Sequence, residues 1–266
     1  MRLDNNNAIV YGAGGAIGGA VARAFAREGA KVFLAGRTLD PVEAVAKDIL
    51  AEGGLAEAAQ VDAMDPDAVR EHADDVAARH GGIDISFNAI SLPQPGVQGT
   101  ALVDLDLERF TAPIHTYLTS HFLTAQAAGR HMAQRGSGVI ITLTAAPSRM
   151  AAPLIGGMGP SWAGIEALTR GLAAELGPHG VRVVCLRPDG IPQTATIDVV
   201  FGLHAQALGI TTAQFTAMMA ERTLLKRLPT LAEVAGAAAG RRLRPTFLRT
   251  LIVAVGAVAI VQMLAR

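Results

Sequence analysis

The chain has 266 residues, with 23 Lys plus Arg balanced by 23 Asp plus Glu, so its formal net charge is zero. A balanced chain excludes a protein that holds nucleic acid or an acidic surface by charge alone. Half of its residues are hydrophobic and 17% are charged, against roughly 25% in a typical soluble domain, which excludes disorder and marks a core-rich globular chain.

A single cysteine, Cys185, leaves no internal disulfide and no cysteine-built zinc site. His115 and His121 stand six apart on one predicted helix and share no face, and no His–Glu spacing occurs elsewhere, so no metal is expected. The opening MRLDNNNAIVYGAGG lacks the apolar stretch of a signal peptide, which implies a reducing, cytoplasmic location.

Short strand-like runs alternate with helical ones from the start. NAIVY at 7–11 is the first strand, glycines follow, and 17–28 carries helical spacing. Residues 31–35 and 41–51 give the next strand and helix, and 56–61 the third strand. Asp65-Pro66-Asp67 reads as an N-cap, a proline at the first helical position and an acid in the first turn, opening a helix to about Arg79. Strands at 83–87 and 138–144 enclose a long helix over about 107–134, in which Pro113 is a kink or the true start. In 160–176, Ile165, Leu168, Leu172 and Leu176 form one apolar stripe of a helix, and 181–186 is a buried strand. Short apolar strands separated by helices imply a single α/β domain over residues 1–240: a doubly wound parallel sheet of Rossmann type, with right-handed crossovers.

Between the first strand and helix, Gly12, Gly14, Gly15, Ile17 and Gly18 form a turn whose bare amides would meet a diphosphate at a helix N-terminus. At the end of the second strand, where an acid would bind a ribose 2′-hydroxyl, stands Arg37. A guanidinium there pairs with a 2′-phosphate and favours NADP over NAD, or is simply solvated. Asp62, after the third strand, either meets adenine or caps a turn. Asn88 and Ala89, after the fourth, lie at the carboxyl edge where open sheets bind ligands, and Asn88 also has the bland role of tying loops together.

These residues resemble the short-chain dehydrogenase/reductase family over about residues 3–234. IVYGAGGAIGGAVARAFAREGAKVFLAGR is similar to its cofactor-binding half, and GIEALTRGLAAELGPHGVRVVCLRP to its later half. The resemblance implies an NAD(P)-dependent oxidoreductase acting on a small molecule, assembled as a homodimer or homotetramer on its two long central helices. Departures are visible: Tyr11 stands for the threonine before the first glycine, Ala16 for the middle glycine, and Phe87-Asn88-Ala89-Ile90 for the family's Asn-Asn-Ala-Gly. Of the family's catalytic residues, the serine position falls on Ala145, the tyrosine on Met158, the lysine on Trp162 and the asparagine on Tyr117.

Alanine, methionine and tryptophan cannot run the usual proton path. Pro160 is expected to start its helix, leaving Met158 in a glycine-rich loop. Tyr117 is the candidate replacement proton donor, or fills space left by its changed neighbours; Thr144, Ser148 and Ser161 are hydroxyl candidates that also suit caps and turns. Two functions are carried forward. One is an atypical NADP(H)-dependent oxidoreductase acting on a carbonyl or activated alkene of a small apolar substrate. The other is an inactive or non-redox descendant, namely a cofactor sensor, a scaffold, or a cyclase or isomerase.

Residues 187–194 resemble the family's Pro-Gly-x-x-x-Thr run, with one extra residue before the glycine; Pro188 and Thr194 are then cofactor contacts. Residues 196–222 read as one helix whose Phe201, Leu203, Leu208, Phe215, Met218 and Met219 suit a lid over an apolar substrate or ordinary packing. The tail, 241–266, carries Arg241, Arg242, Arg244 and Arg249 near its start, and 250–265 carries no charge, short of the roughly twenty residues of a membrane span. A buried strand and subunit contact is expected there; an altered reading frame near Gly240 and a membrane-touching tail are the alternatives.

Overall fold

Strands β1 (Asn7–Tyr11), β2 (Lys31–Gly36), β3 (Leu55–Gln60), β4 (Ile85–Asn88), β5 (Gly138–Leu143) and β6 (Val181–Leu186) form one parallel sheet in the order β3-β2-β1-β4-β5-β6. The computed structural model describes residues 1–240, and the expectations for 241–266 lie outside the described residues. The helices are α1 (Ala16–Arg27), α2 (Leu39–Ala51), α3 (Pro66–His80), α4 (Leu107–Arg135), α5 (Met158–Leu176), α6 (Ala195–Leu208), α7 (Thr212–Glu221) and α8 (Leu231–Ala238).

Alternation along the strands divides the core into two layers. Ala8, Val10, Val32, Leu34 and Phe87 pack with Val21 and Phe25 of α1 and Val42 and Ile49 of α2 on one face. Ile9, Tyr11, Phe33, Ile140 and Val183 pack with Val69 and Val76 of α3 and Ala128 and Met132 of α4 on the other. Each fully buried Phe, Ile or Val side chain stabilises the fold by about 1.5–3 kcal/mol relative to exposure. Strand order reverses between β1 and β4, which opens a crevice at their carboxyl ends.

Several boundaries follow the local signals. Asp65 caps α3 by accepting from the Asp67 and Ala68 amides, with Pro66 opening the helix. Three expectations are corrected. Pro113 is not a start: Asp106 accepts from the Arg109 amide and begins α4 at Leu107, leaving the proline inside the helix. Pro160 does not start α5, which begins at Met158. A proline in the first turn removes an amide that has no intrahelical acceptor, and Gly159 lacks the Cβ that would clash with the ring. Residues 196–222 form two helices, not one. Gly209, at φ +67°, closes α6, and a reciprocal Thr211–Gln214 capping box opens α7.

Candidate active site

The β1–α1 turn is set by close backbone approach. Gly12 has φ +72°, and a Cβ there would lie 2.7 Å from the Ala89 carbonyl oxygen, so the turn seats directly on the loop after β4. At the start of α1, Gly15 offers no side-chain cap and the first turn holds no acid. Asp65, Asp106, Thr194, Thr211 and Thr230 do cap their helices. The first amides of α1 are thus left for an anion, which the helix dipole favours.

Around this turn the sequence candidates fall into three groups. Arg37 is exposed at the end of β2 and makes no ion pair among the described residues. Asp62 Oδ1 accepts from the Met64 amide at 3.0 Å, which is the turn-capping role. Asn88 is buried; its amide nitrogen donates to Thr124 Oγ1 at 3.0 Å and its oxygen accepts from the Ile90 amide at 2.9 Å, tying β4 to α4. The third group is brought together. Gly15, Ile17, Ala89, Pro188 and Thr194 line one cavity of about 290 Å³ together with Tyr117, Ala145, Met158 and Trp162. Thr194 has its hydroxyl committed, donating to the Ile191 carbonyl at 2.9 Å and capping α6.

The chamber is apolar where the resemblance would put proton chemistry. Met158, 2% exposed, begins α5 instead of lying in a glycine loop, and packs with Val97, Tyr117, Ile165 and Trp162. None of the three lysines, Lys31, Lys47 and Lys226, lines the cavity. Two ionisable acids line it, the Tyr117 phenol and the Asp189 carboxyl, whose pKa burial also raises. Burial pushes the Tyr117 pKa up, against the pull of Ser91, the Leu92 backbone and Gln94, so the phenol stays protonated at neutral pH and able to donate. Thr144 lines the cavity; Ser148 donates to the Glu166 carboxylate 18 residues on, and Ser161 donates to the Gly157 carbonyl one helical turn back, so neither hydroxyl caps a helix. Of the lid candidates, Phe201, Leu208, Phe215, Met218 and Met219 line the cavity, whereas Leu203 packs on Gly99. His121 is sealed in α4 with its pKa pushed down to about 4 by burial, and no metal-holding cluster exists among the described residues.

Sequence reasoning missed a buried polar chain in the cavity wall. His204 Nε2 lies 3.0 Å from Gln98 Oε1, Gln98 Nε2 donates to Gln94 Oε1 at 2.7 Å, and Gln94 Nε2 donates to the Leu92 carbonyl at 2.7 Å. Gln94 and Gln98 sit in a proline- and glycine-rich loop with no periodicity, and His204 is 106 residues further on, so no local pattern joins them.

A parallel sheet in this order, with a glycine turn at its switch point, defines a Rossmann-type fold. A family model described as enoyl-(acyl carrier protein) reductase matches residues 12–240. The chain is 30% identical over 239 residues to gluconate 5-dehydrogenase of Gluconobacter oxydans, covering 90% of this chain and 88% of that protein. It is 32% identical to D-threitol dehydrogenase of Mycolicibacterium smegmatis, over 71% of each. The solved gluconate 5-dehydrogenase of Burkholderia cenocepacia, in complex with NADP and tartrate, superposes with a TM-score of 0.77 at 28% identity, covering 90% of this chain and 88% of that one. The chain belongs to the short-chain dehydrogenase/reductase family of oxidoreductases.

Proposed function

We propose that this protein is an NADP(H)-dependent reductase acting on a carbonyl or activated alkene of a small apolar substrate, with Tyr117 as proton donor. One observation carries the reading: a single cavity runs from the uncapped amides of α1 to an apolar chamber holding the protonated Tyr117 phenol. Bound NADPH would supply hydride. The amides of Gly14, Ile17 and Gly18 would hold its diphosphate, while Gly12 shapes the turn and its carbonyl accepts from the Gly15 amide at 3.1 Å. Arg37 would pair with the 2′-phosphate, and its lack of an ion pair among the described residues supports NADP over NAD. Asp62, whose Oδ1 caps the turn at Met64, would meet the adenine end through its other oxygen, with Asn88 and Ala89 at the middle of the crevice and Pro188 and Thr194 at the nicotinamide end. Tyr117 would then give its proton to the carbon or oxygen next to the reduced centre, while Met158 and Trp162 exclude water.

The same reading includes a homodimer or homotetramer built on α4 and α5, supported by family membership and by Phe122 standing 44% exposed on α4. A cytoplasmic site of action accompanies it. No helix among the described residues is long and apolar enough to cross a membrane.

Trp162, the one tryptophan, lines the cavity and serves as the reporter. Titration with NADPH is expected to quench its emission and sensitise that of the nicotinamide. A flat response to both NADPH and NADH would overturn the reading. A panel of cyclic ketones and enones then tests turnover. One observation favours a second, non-redox reading: Ala145, Met158 and Trp162 put no proton donor where the family resemblance expects three polar groups. Activity gained by a Met158→Tyr, Trp162→Lys double variant, in a parent that binds coenzyme without turnover, would support it.

A further inference from the structure

His204 lies in the middle of α6, 6% exposed, its ring stacked on Phe215 at 5.3 Å, with Phe201 packed edge-on to Phe215. Its tautomer can be derived from the chain of amides behind it. The Leu92 carbonyl only accepts, so the Gln94 group facing it is its NH₂, and the Gln94 oxygen turns to Gln98. That oxygen demands the Gln98 NH₂, which turns the Gln98 oxygen to His204. A carboxamide oxygen accepts, so His204 Nε2 carries the hydrogen and Nδ1 is a bare lone pair. Burial lowers the pKa of the ring and keeps it neutral.

Nδ1 has no hydrogen-bond partner among the described residues, and it is not one of the sealed orphan atoms, which are Tyr11 Oη and His72 Nδ1. The space this side chain lines is the cavity. An acceptor fixed in a wall of Phe201, Phe215, Leu208 and Met219 loses water when an apolar ligand enters, and that loss is recovered only if the ligand donates to it.

We propose that His204 is a specificity residue whose Nδ1 accepts a hydrogen bond from a hydroxyl on the substrate within this cavity. This names the substrate class within the reductase reading and rests on that reading. The substrate is an apolar ring or chain that carries, apart from its reducible group, a neutral hydroxyl donor. Ethers and ketones at that point meet lone pair against lone pair and are rejected. Gln98 and Gln94 are positioning residues: they hold the ring in one tautomer and so prevent it from donating.

The test uses three probes with one rigid body: 1-adamantanol, 1-methoxyadamantane and 1-adamantanecarboxylate. Each is titrated into the full chain without coenzyme, read by Trp162 emission and by thermal shift. The alcohol is expected to bind about tenfold more tightly than the ether, the value of one hydrogen bond in a dry pocket. His204→Phe should abolish that preference while leaving ether affinity unchanged or improved. Gln98→Leu, which keeps the imidazole but frees its tautomer, should narrow the preference by strengthening ether binding. Equal affinities of alcohol and ether in the parent chain would overturn the proposal, as would a preference that survives in His204→Phe. Tighter binding of the carboxylate would also overturn it and assign recognition to Arg222, the cation lining this cavity. Because these titrations omit coenzyme, their failure is separate from a flat NADPH titration, which bears on the reductase reading alone.

Discussion

Replacing Gly12 by alanine tests the frame of the crevice. Its φ of +72° costs an L-residue roughly 1–2 kcal/mol. The new Cβ would also stand 2.7 Å from the oxygen and 2.8 Å from the carbon of the Ala89 carbonyl, well inside ordinary contact at 3.4 Å and beyond. Both atoms are backbone at the end of β4, so relief requires β1 and β4 to part, at an overpacking cost of about 1–3 kcal/mol. The two effects together amount to about 3 kcal/mol. For a domain of this size each kcal/mol moves the melting temperature by roughly 2–4 °C, so a fall of about 10 °C is expected. Gly171 is the control: it is exposed on α5, and a Cβ there meets nothing within 4 Å. Gly171→Ala should raise the melting temperature by a few degrees, since alanine gains about 0.5–1 kcal/mol over glycine in a helix. Differential scanning calorimetry measures both, and the Trp162 titration should show weakened coenzyme binding for Gly12→Ala alone. If Gly12→Ala melts within about 2 °C of the parent, the close approach of the turn to Ala89 is refuted.

Tyr117→Phe should lower turnover by about a hundredfold or more, the usual loss of a positioned acid, with the coenzyme titration unchanged; undiminished turnover would place the proton source in water. Arg37→Ala should weaken NADPH by roughly tenfold and leave NADH unaltered, because only the former offers a 2′-phosphate; equal losses for both would remove Arg37 from cofactor choice. Glu166 is held by Ser148, Arg149 and Arg187; burial raises its pKa, but these partners outweigh burial and leave it lowered. Its contribution is therefore complete above the ordinary carboxylate pKa and fades as pH falls through the lowered folded value. Glu166→Gln should cost about 3 kcal/mol near neutrality by stranding the nearly buried Arg187, and the difference in melting temperature from the parent should shrink as pH falls below the ordinary carboxylate range. A gap that stays constant across that range would contradict this account.

Relatively little of the site was legible in the order of residues, although most of the fold was. The strands at NAIVY and VRVVCL, the Asp65-Pro66 helix opening and the glycine turn are written in runs of a few residues, where propensity and capping act. The errors came where one local rule met another. Pro160 signals a helix start, but glycine before it removes the steric reason; the long apolar run 196–222 hides a Gly209 stop and a Thr211–Gln214 start. The positions of Tyr117 and Met158 were identified by resemblance, whereas the burial of Tyr117 beside Ser91 and Gln94, which keeps its phenol protonated, was not.

The amino-acid sequence by itself determined the alternation of strands and helices, the doubly wound sheet and the turn at its switch point, because those depend on periodicity, glycine conformation and capping within about one element's length. Tertiary structure alone decided which side chains share the cavity. His204 on α6 meets Gln98 across 106 residues, and Tyr117 on α4 faces Met158 at the head of α5. Such meetings arise from packing helices onto a common sheet edge, where burial and hydrogen-bond satisfaction are settled between segments distant in the chain.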